Sequence, residues 1–175
     1  MKTITNRLQC SLSEATVQLL NQQVAIEGQS SAHYLAMASW CHTQGYKDSA
    51  AFLYHHAEEE KGHMLKLFHY INDAGGHAKH PEITGITHTF TSFREVFTLA
   101  LRQEIRVTEA IHQLVHHCLS SKDFATFNFL QWYVAEQIEE EGLLRRTIEL
   151  FDLIGEEGIG RYTIDKAIGA LQSGA

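Results

Sequence analysis

Each of four long amphipathic segments in this chain has a glutamate in the middle of its apolar stripe. Apolar residues recur three, four, seven or eleven positions from each acid, so the acids belong on the core-facing side of a helix. An unpaired ion buried in this way costs several kcal/mol, and the stripes offer no inward-facing lysine or arginine. Bound metal ions that compensate the charge are the simplest resolution. The four acids are Glu27, Glu60, Glu104 and Glu140.

The positions of these acids predict a single site. The pattern predicts helices over Ser13–Cys41, Lys47–Ala74, Thr91–Leu119 and Lys122–Gly155. Each acid then lies near a helix midpoint, so all four meet at one level of a bundle whichever way each helix runs. His63, three residues after Glu60, adds an imidazole on the same face. Oxygen ligands with one imidazole suit two iron or manganese ions better than a structural zinc.

The connections between the helices predict the topology of the bundle. Ser11 and Glu14 have capping-box spacing before the first helix, and short links follow the first and third helices. The irregular segment from Gly75 to about Phe90 spans roughly 50 Å when extended, whereas the second helix is about 42 Å long. It can therefore cross the whole bundle, which makes helices two and three parallel. One long crossover between two helical hairpins is typical of ferritin-like bundles.

A short fifth helix is predicted after the glycines that end the fourth. It covers about Arg161–Leu171 and has an apolar face that includes Ile164 and Ile168. Because so short a helix is unstable alone, we expect it to pack against other subunits. The chain is predicted to be one all-α domain over 1–175, with the bundle at about 13–155.

Composition limits the class of protein. The chain has 175 residues, 44% of them apolar, and a net charge of −7 without a basic patch, which argues against nucleic-acid binding. The chain contains no run of 18 apolar residues, so a membrane span is not expected. The residues after Met1 do not form an apolar leader, so secretion is not expected either. Three scattered cysteines favour a reducing, cytoplasmic setting.

Two stretches resemble the ferritin family, and specifically its non-haem bacterial members. They are Glu59-Glu60-Lys-Gly-His63 and Asn128-Phe-Leu-Gln-Trp-Tyr-Val-Ala-Glu136-Gln-Ile-Glu-Glu-Glu141. The resemblance covers nearly the whole chain. It implies an iron-storing shell of 24 identical subunits that oxidises Fe²⁺ with O₂ or H₂O₂.

The resemblance also implies roles for individual residues. Glu27, Glu60 and His63 match the ligands of a first iron, and Glu60 matches a bridge to a second iron held by Glu104 and Glu140. Gln137 matches a position beside or on the second iron. Tyr34 matches a tyrosine that hydrogen-bonds near the site. A third iron position matches Glu59, Glu136 and Glu139, together with Glu140. Without the resemblance, a second reading stays open for Glu59, Glu136 and Glu139, that of solvated surface acids.

Two departures from haem-binding relatives imply that this chain binds no haem. Bacterioferritins carry a second Glu-x-x-His on the fourth helix, where this chain has Gln137-Ile-Glu-Glu140. Their haem-ligating methionine follows the bridging glutamate, and here that residue is Lys61.

The residues leave one alternative function open. A di-iron oxygenase or peroxidase acting on a small substrate could use the same ligand set, although the chain has no rubredoxin-like four-cysteine module. Apart from His63, the histidines, including His55 and His56, are expected to be surface or packing residues.

Overall fold

A computed structural model describes residues 10–172, and these contain five helices and no strand. The predicted all-α fold is thereby confirmed. None of the described helices is long and apolar enough to cross a membrane. The predicted single domain over 1–175 extends beyond the described residues at both ends. The helices are α1 (Glu14–Thr43), α2 (Lys47–Asp73), α3 (Phe93–Ser121), α4 (Phe124–Ile154) and α5 (Gly160–Gln172).

The four long helices form two antiparallel hairpins, α1 with α2 and α3 with α4. Between the hairpins, α1 runs antiparallel to α3, because Thr16 near the start of α1 contacts His117 near the end of α3. In the same way, Tyr70 near the end of α2 contacts Thr126 at the start of α4. It follows that α2 and α3 are parallel, as the long crossover predicted.

The crossover between α2 and α3 lies along α1. Asn21 of α1 donates to the carbonyl of His77 and accepts from the amide of Lys79. Gly28 allows this close approach, since a Cβ atom there would lie 2.9 Å from Pro81 Cγ. The crossover is thus fixed to the helix that carries Glu27.

The ends of the helices use ordinary side-chain caps. Ser13 Oγ accepts from the Thr16 amide at the start of α1, so the cap is Ser13 and the capping box predicted from Ser11 is wrong. Ser92 caps α3 and Asp123 caps α4 in the same manner. Gly75, with φ of 91°, follows the end of α2, in a conformation that favours glycine.

Two apolar clusters fill the bundle on either side of the glutamate layer. The first, around Leu20, Ile71 and Ile111, joins the start of α1 to the ends of α2 and α3. The second, around Phe52 and Phe97, occupies the other half. The acids lie between these clusters, which keep water away from both sides of the layer.

Helix α5 packs on α2 and α4 of its own chain. Ile164 and Ile168 are fully buried there, so the expectation that this apolar face would be covered by other subunits is wrong for these two residues. Asp165 is also buried, and its carboxylate accepts from the amides of Asp48 and Ser49, at 3.4 and 2.8 Å. These are first-turn amides of α2, which Tyr46 leaves without a side-chain cap.

Candidate metal centre

The four mid-helix glutamates all point into the bundle. Glu27, Glu60, Glu104 and Glu140 are each 5% exposed or less, which agrees with the orientation predicted from their spacing. No lysine or arginine forms an ion pair with any of them in residues 10–172. The resulting layer of acids in an apolar interior needs a cation or protons to be stable.

One cluster of potential ligands contains Glu27, Glu60 and His63. One potential ligand atom from each lies within 4.8 Å of the others, and His63 Nδ1 is 3.6 Å from Glu60 Oε2. Gln23 donates to Glu27 Oε1 at 2.8 Å, which orients that carboxylate. Its other oxygen, Oε2, has no hydrogen-bond partner. Two carboxylates and an imidazole converging on one point form a plausible cation site.

Glu104 is held by two hydrogen-bond donors instead. Tyr34 donates its hydroxyl to Glu104 Oε1 at 2.7 Å, and Gln137 Nε2 donates to Oε2 at 3.2 Å. Glu104 takes part in none of the three-residue clusters among the described residues. Its carboxylate lies in the same layer, however, with its position fixed by Tyr34 and Gln137.

A second group of ligands surrounds Glu140. His63, Glu136 and Glu140 form one cluster, and His56, Glu59 and Glu140 form another. Of the acids predicted for a third iron, Glu59 and Glu136 thus reach Glu140, whereas Glu139 is exposed and belongs to neither cluster. All four acids line one cleft of about 370 Å³.

His56 is the residue that sequence reasoning missed. It is buried, and its Nδ1 lies 3.2 Å from Glu140 Oε2 and 3.4 Å from Glu59 Oε2. Its ring also stacks on that of Tyr34, with ring centroids 5.4 Å apart. The available signal was its position four residues before Glu60, on the same helix face. The expectation of a packing or surface role for His56 is incomplete, because His56 reaches the acid layer.

The electrostatics of the layer favour bound protons when no metal is present. Burial, together with the charges of neighbouring acids, raises the pKa of Glu60 well above its ordinary value. Burial and the charge of Glu140 raise the pKa of Glu104 to about 7. Burial alone would lower the pKa of His56, but the close carboxylate of Glu140 and the charges of the nearby acids outweigh burial and raise it.

The free oxygens show that the residues fit metal ions. Three carboxylate oxygens in the layer are buried without a hydrogen-bond partner. Such groups are rare unless an ion, proton or water satisfies them. They come from three different helices, α1, α2 and α4. The unpartnered atoms are Glu27 Oε2, Glu60 Oε2 and Glu140 Oε2.

Fold and site together define a class: a four-helix bundle with one long crossover and a carboxylate-rich candidate metal centre at its middle. The family model for the ferritin-like domain matches residues 17–154 of this chain. This chain therefore belongs to the ferritin family.

Known relatives agree with this placement. A bacterial non-heme ferritin of Campylobacter jejuni is 42% identical over 90% of this chain and 94% of its own. The bacterial non-heme ferritin of Escherichia coli is 37% identical over 93% of this chain and 98% of its own. The structure of an open-pore ferritin from the archaeon Archaeoglobus fulgidus superposes with a TM-score of 0.88, at 36% identity, covering 92% of this chain and 98% of that one.

Proposed function

We propose that this protein stores iron, and that it oxidises Fe²⁺ with O₂ or H₂O₂ at the metal centre before depositing a ferric mineral inside a protein shell. The observation that carries the proposal is the set of buried, unpartnered carboxylate oxygens beside His63 at mid-bundle. The names of the bacterial relatives, at about 40% identity over most of their length, support the same activity.

The proposed substrate ligands follow the clusters. Glu27, Glu60 and His63 hold one Fe²⁺, and Glu60, which has a free buried oxygen, bridges to a second. Glu104 and Glu140 hold the second Fe²⁺, with Gln137 beside it. Two irons held together can each give one electron to the same oxidant. The four carboxylates of Glu27, Glu60, Glu104 and Glu140 balance the charge of two Fe²⁺ ions.

Tyr34 is proposed to hold Glu104 in position for catalysis. Its hydroxyl donates to Glu104, and burial together with the charge of Glu104 raises the pKa of Tyr34 well above its ordinary value. The phenol therefore keeps its proton at neutral pH. A permanent donor at this place fixes one oxygen of Glu104 and leaves the other to Gln137 or to iron.

A third iron is proposed to bind beside the pair. Glu59, Glu136 and Glu140 supply the acids, and Glu139 stands on the rim of the same cleft. His56 lies between Glu59 and Glu140, so it either joins the ligand set or orients both carboxylates. An iron ion at this position would lie between the buried iron pair and the open cleft.

The assembly is proposed to be a closed shell of 24 copies located in the cytoplasm, each copy a single domain over 1–175 that binds no haem. Several large apolar side chains remain exposed on one chain, including Ile138 and Tyr162, at 73% and 62%. Contacts between identical subunits would cover them.

Two measurements on one preparation test the function. Sedimentation of the purified protein should give a particle of several hundred kilodaltons, and repeated additions of Fe²⁺ in air should fill it with many irons per chain. An oxygenase acting on a small substrate would give a small oligomer that retains about two irons per chain. Monomers or dimers that never accumulate iron would exclude storage.

A further inference from the structure

A separate cleft lies between α1 and α3. Its walls come from one flank of α1, including Ile26 and His33, and from Gln103, Arg106 and Val107 of α3. The volume of about 430 Å³ falls in the range of small-molecule sites. None of these five residues belongs to the three-residue metal clusters of the described chain.

The polar lining of the cleft includes hydrogen-bond donors that have no acceptor. Gln103 is 6% exposed, and its amide Nε2 is buried with no hydrogen-bond partner. Arg106, on the next turn, forms no ion pair within residues 10–172. By contrast, the amide of Gln29 is occupied, since it donates to the carbonyl of Thr84 and to His33. Gln103 and Arg106 are therefore available for a ligand.

The charge at this part of the cleft is positive. Burial and the nearby guanidinium of Arg106 both lower the pKa of His33, so the ring is neutral at pH 7 and Arg106 supplies the charge. The one acid on the cleft wall, Glu82, belongs to the crossover and is exposed to solvent. A buried amide donor beside a guanidinium suits an oxyanion, which accepts charge-assisted hydrogen bonds from both.

Part of the cleft lining is apolar. It comprises Ala25, Ile26 and Val107, and the space exceeds what a bare phosphate or acetate would fill. We propose that the cleft binds a small organic anion, with its carboxylate or phosphate head at Arg106 and Gln103 and its carbon body against Ile26 and Val107. None of the residues that line this cleft belongs to the metal clusters found among the described residues.

Calorimetric titration of iron-free, assembled protein with hexanoate tests this site. We expect one hexanoate per chain and binding that weakens at least about tenfold in Arg106→Gln, because a charge-assisted contact is lost. Glu82→Gln should tighten binding slightly, since it removes the only acid on the wall. Arg102→Gln is the matched control: it makes the same charge change one turn earlier on α3, outside the cleft, and should bind like the parent.

Three further ligands make the test selective. Acetate should bind less tightly than hexanoate by about fourfold for each methylene that is buried. Hexyl phosphate, compared with hexanoate, decides between a phosphate and a carboxylate head. Hexylamine should not bind. Equal binding of hexylamine and hexanoate, an unchanged affinity in Arg106→Gln, or no saturable binding of either anion below about 10 mM would overturn the proposal.

Discussion

Replacing Glu104 with glutamine is expected to stabilise the iron-free protein near pH 8. Glu104 is buried, and burial with the charge of Glu140 raises its carboxyl pKa from 4.5 to about 7. A carboxyl whose pKa is raised on folding favours the folded state when protonated and disfavours it when ionised. Its favourable contribution is complete below about pH 4.5 and is lost as the pH rises through 7. Glutamine imitates the protonated form at every pH.

The size of the effect follows from the shift. Each unit of pKa difference corresponds to about 1.4 kcal/mol, so the variant should gain about 3 kcal/mol over the parent near pH 8 and almost nothing near pH 4.5. Glutamine can still accept the hydrogen bond from Tyr34. Gln137 must turn its amide so that its oxygen, instead of its NH₂ group, faces the new side chain.

Scanning calorimetry of metal-free protein at equal chain concentration measures this gain, because assembly makes stability depend on concentration. Glu109→Gln on the exposed side of α3 is the control and should change little at either pH. Redox-inert Zn²⁺ should stabilise the parent more than the variant, since the variant lacks one ligand. A variant less stable than the parent near pH 8, or equally stabilised near pH 4.5, would refute the reasoning.

Three other substitutions address the site and the shell. Glu60→Ala should abolish fast Fe²⁺ oxidation followed by absorbance in a stopped-flow instrument, because it removes the bridging ligand; a parent-like rate would exclude the bridge. His56→Ala should leave the first oxidation largely intact but slow recovery between iron additions, whereas loss of the first oxidation would place His56 at the pair itself. Asp165→Ala should cost about 1 kcal/mol by uncapping α2, seen as earlier unfolding in denaturant; unchanged unfolding would refute the cap.

Much of this molecule could be predicted from helical periodicity. The acid layer, the five helices and the parallel arrangement of α2 and α3 depend on spacing and on the length of one connection, both of which are visible in the sequence. The orientations of Glu27 and Glu60 agree with those predictions because their apolar neighbours leave only one face to bury.

The parts that could not be predicted depend on contacts between distant residues. His56 shares a face with Glu60, but whether it reaches Glu140 is decided by the packing of α4 against α2. The sequence pattern predicts that the apolar face of α5 is buried. It does not distinguish burial against its own bundle from burial against another subunit. The cap of α2 by Asp165 has no local signal, since the partners are 116 residues apart in the chain.

That cap also has a consequence for the order of synthesis. During translation, Ser49 is made 116 residues before Asp165. Until Asp165 is made, the first-turn amides of α2 lack this acceptor and the turn can fray. The end of the bundle next to the second apolar cluster is then less stably folded. The cap therefore forms only after α5 has been made, and a chain cut before α5 lacks it.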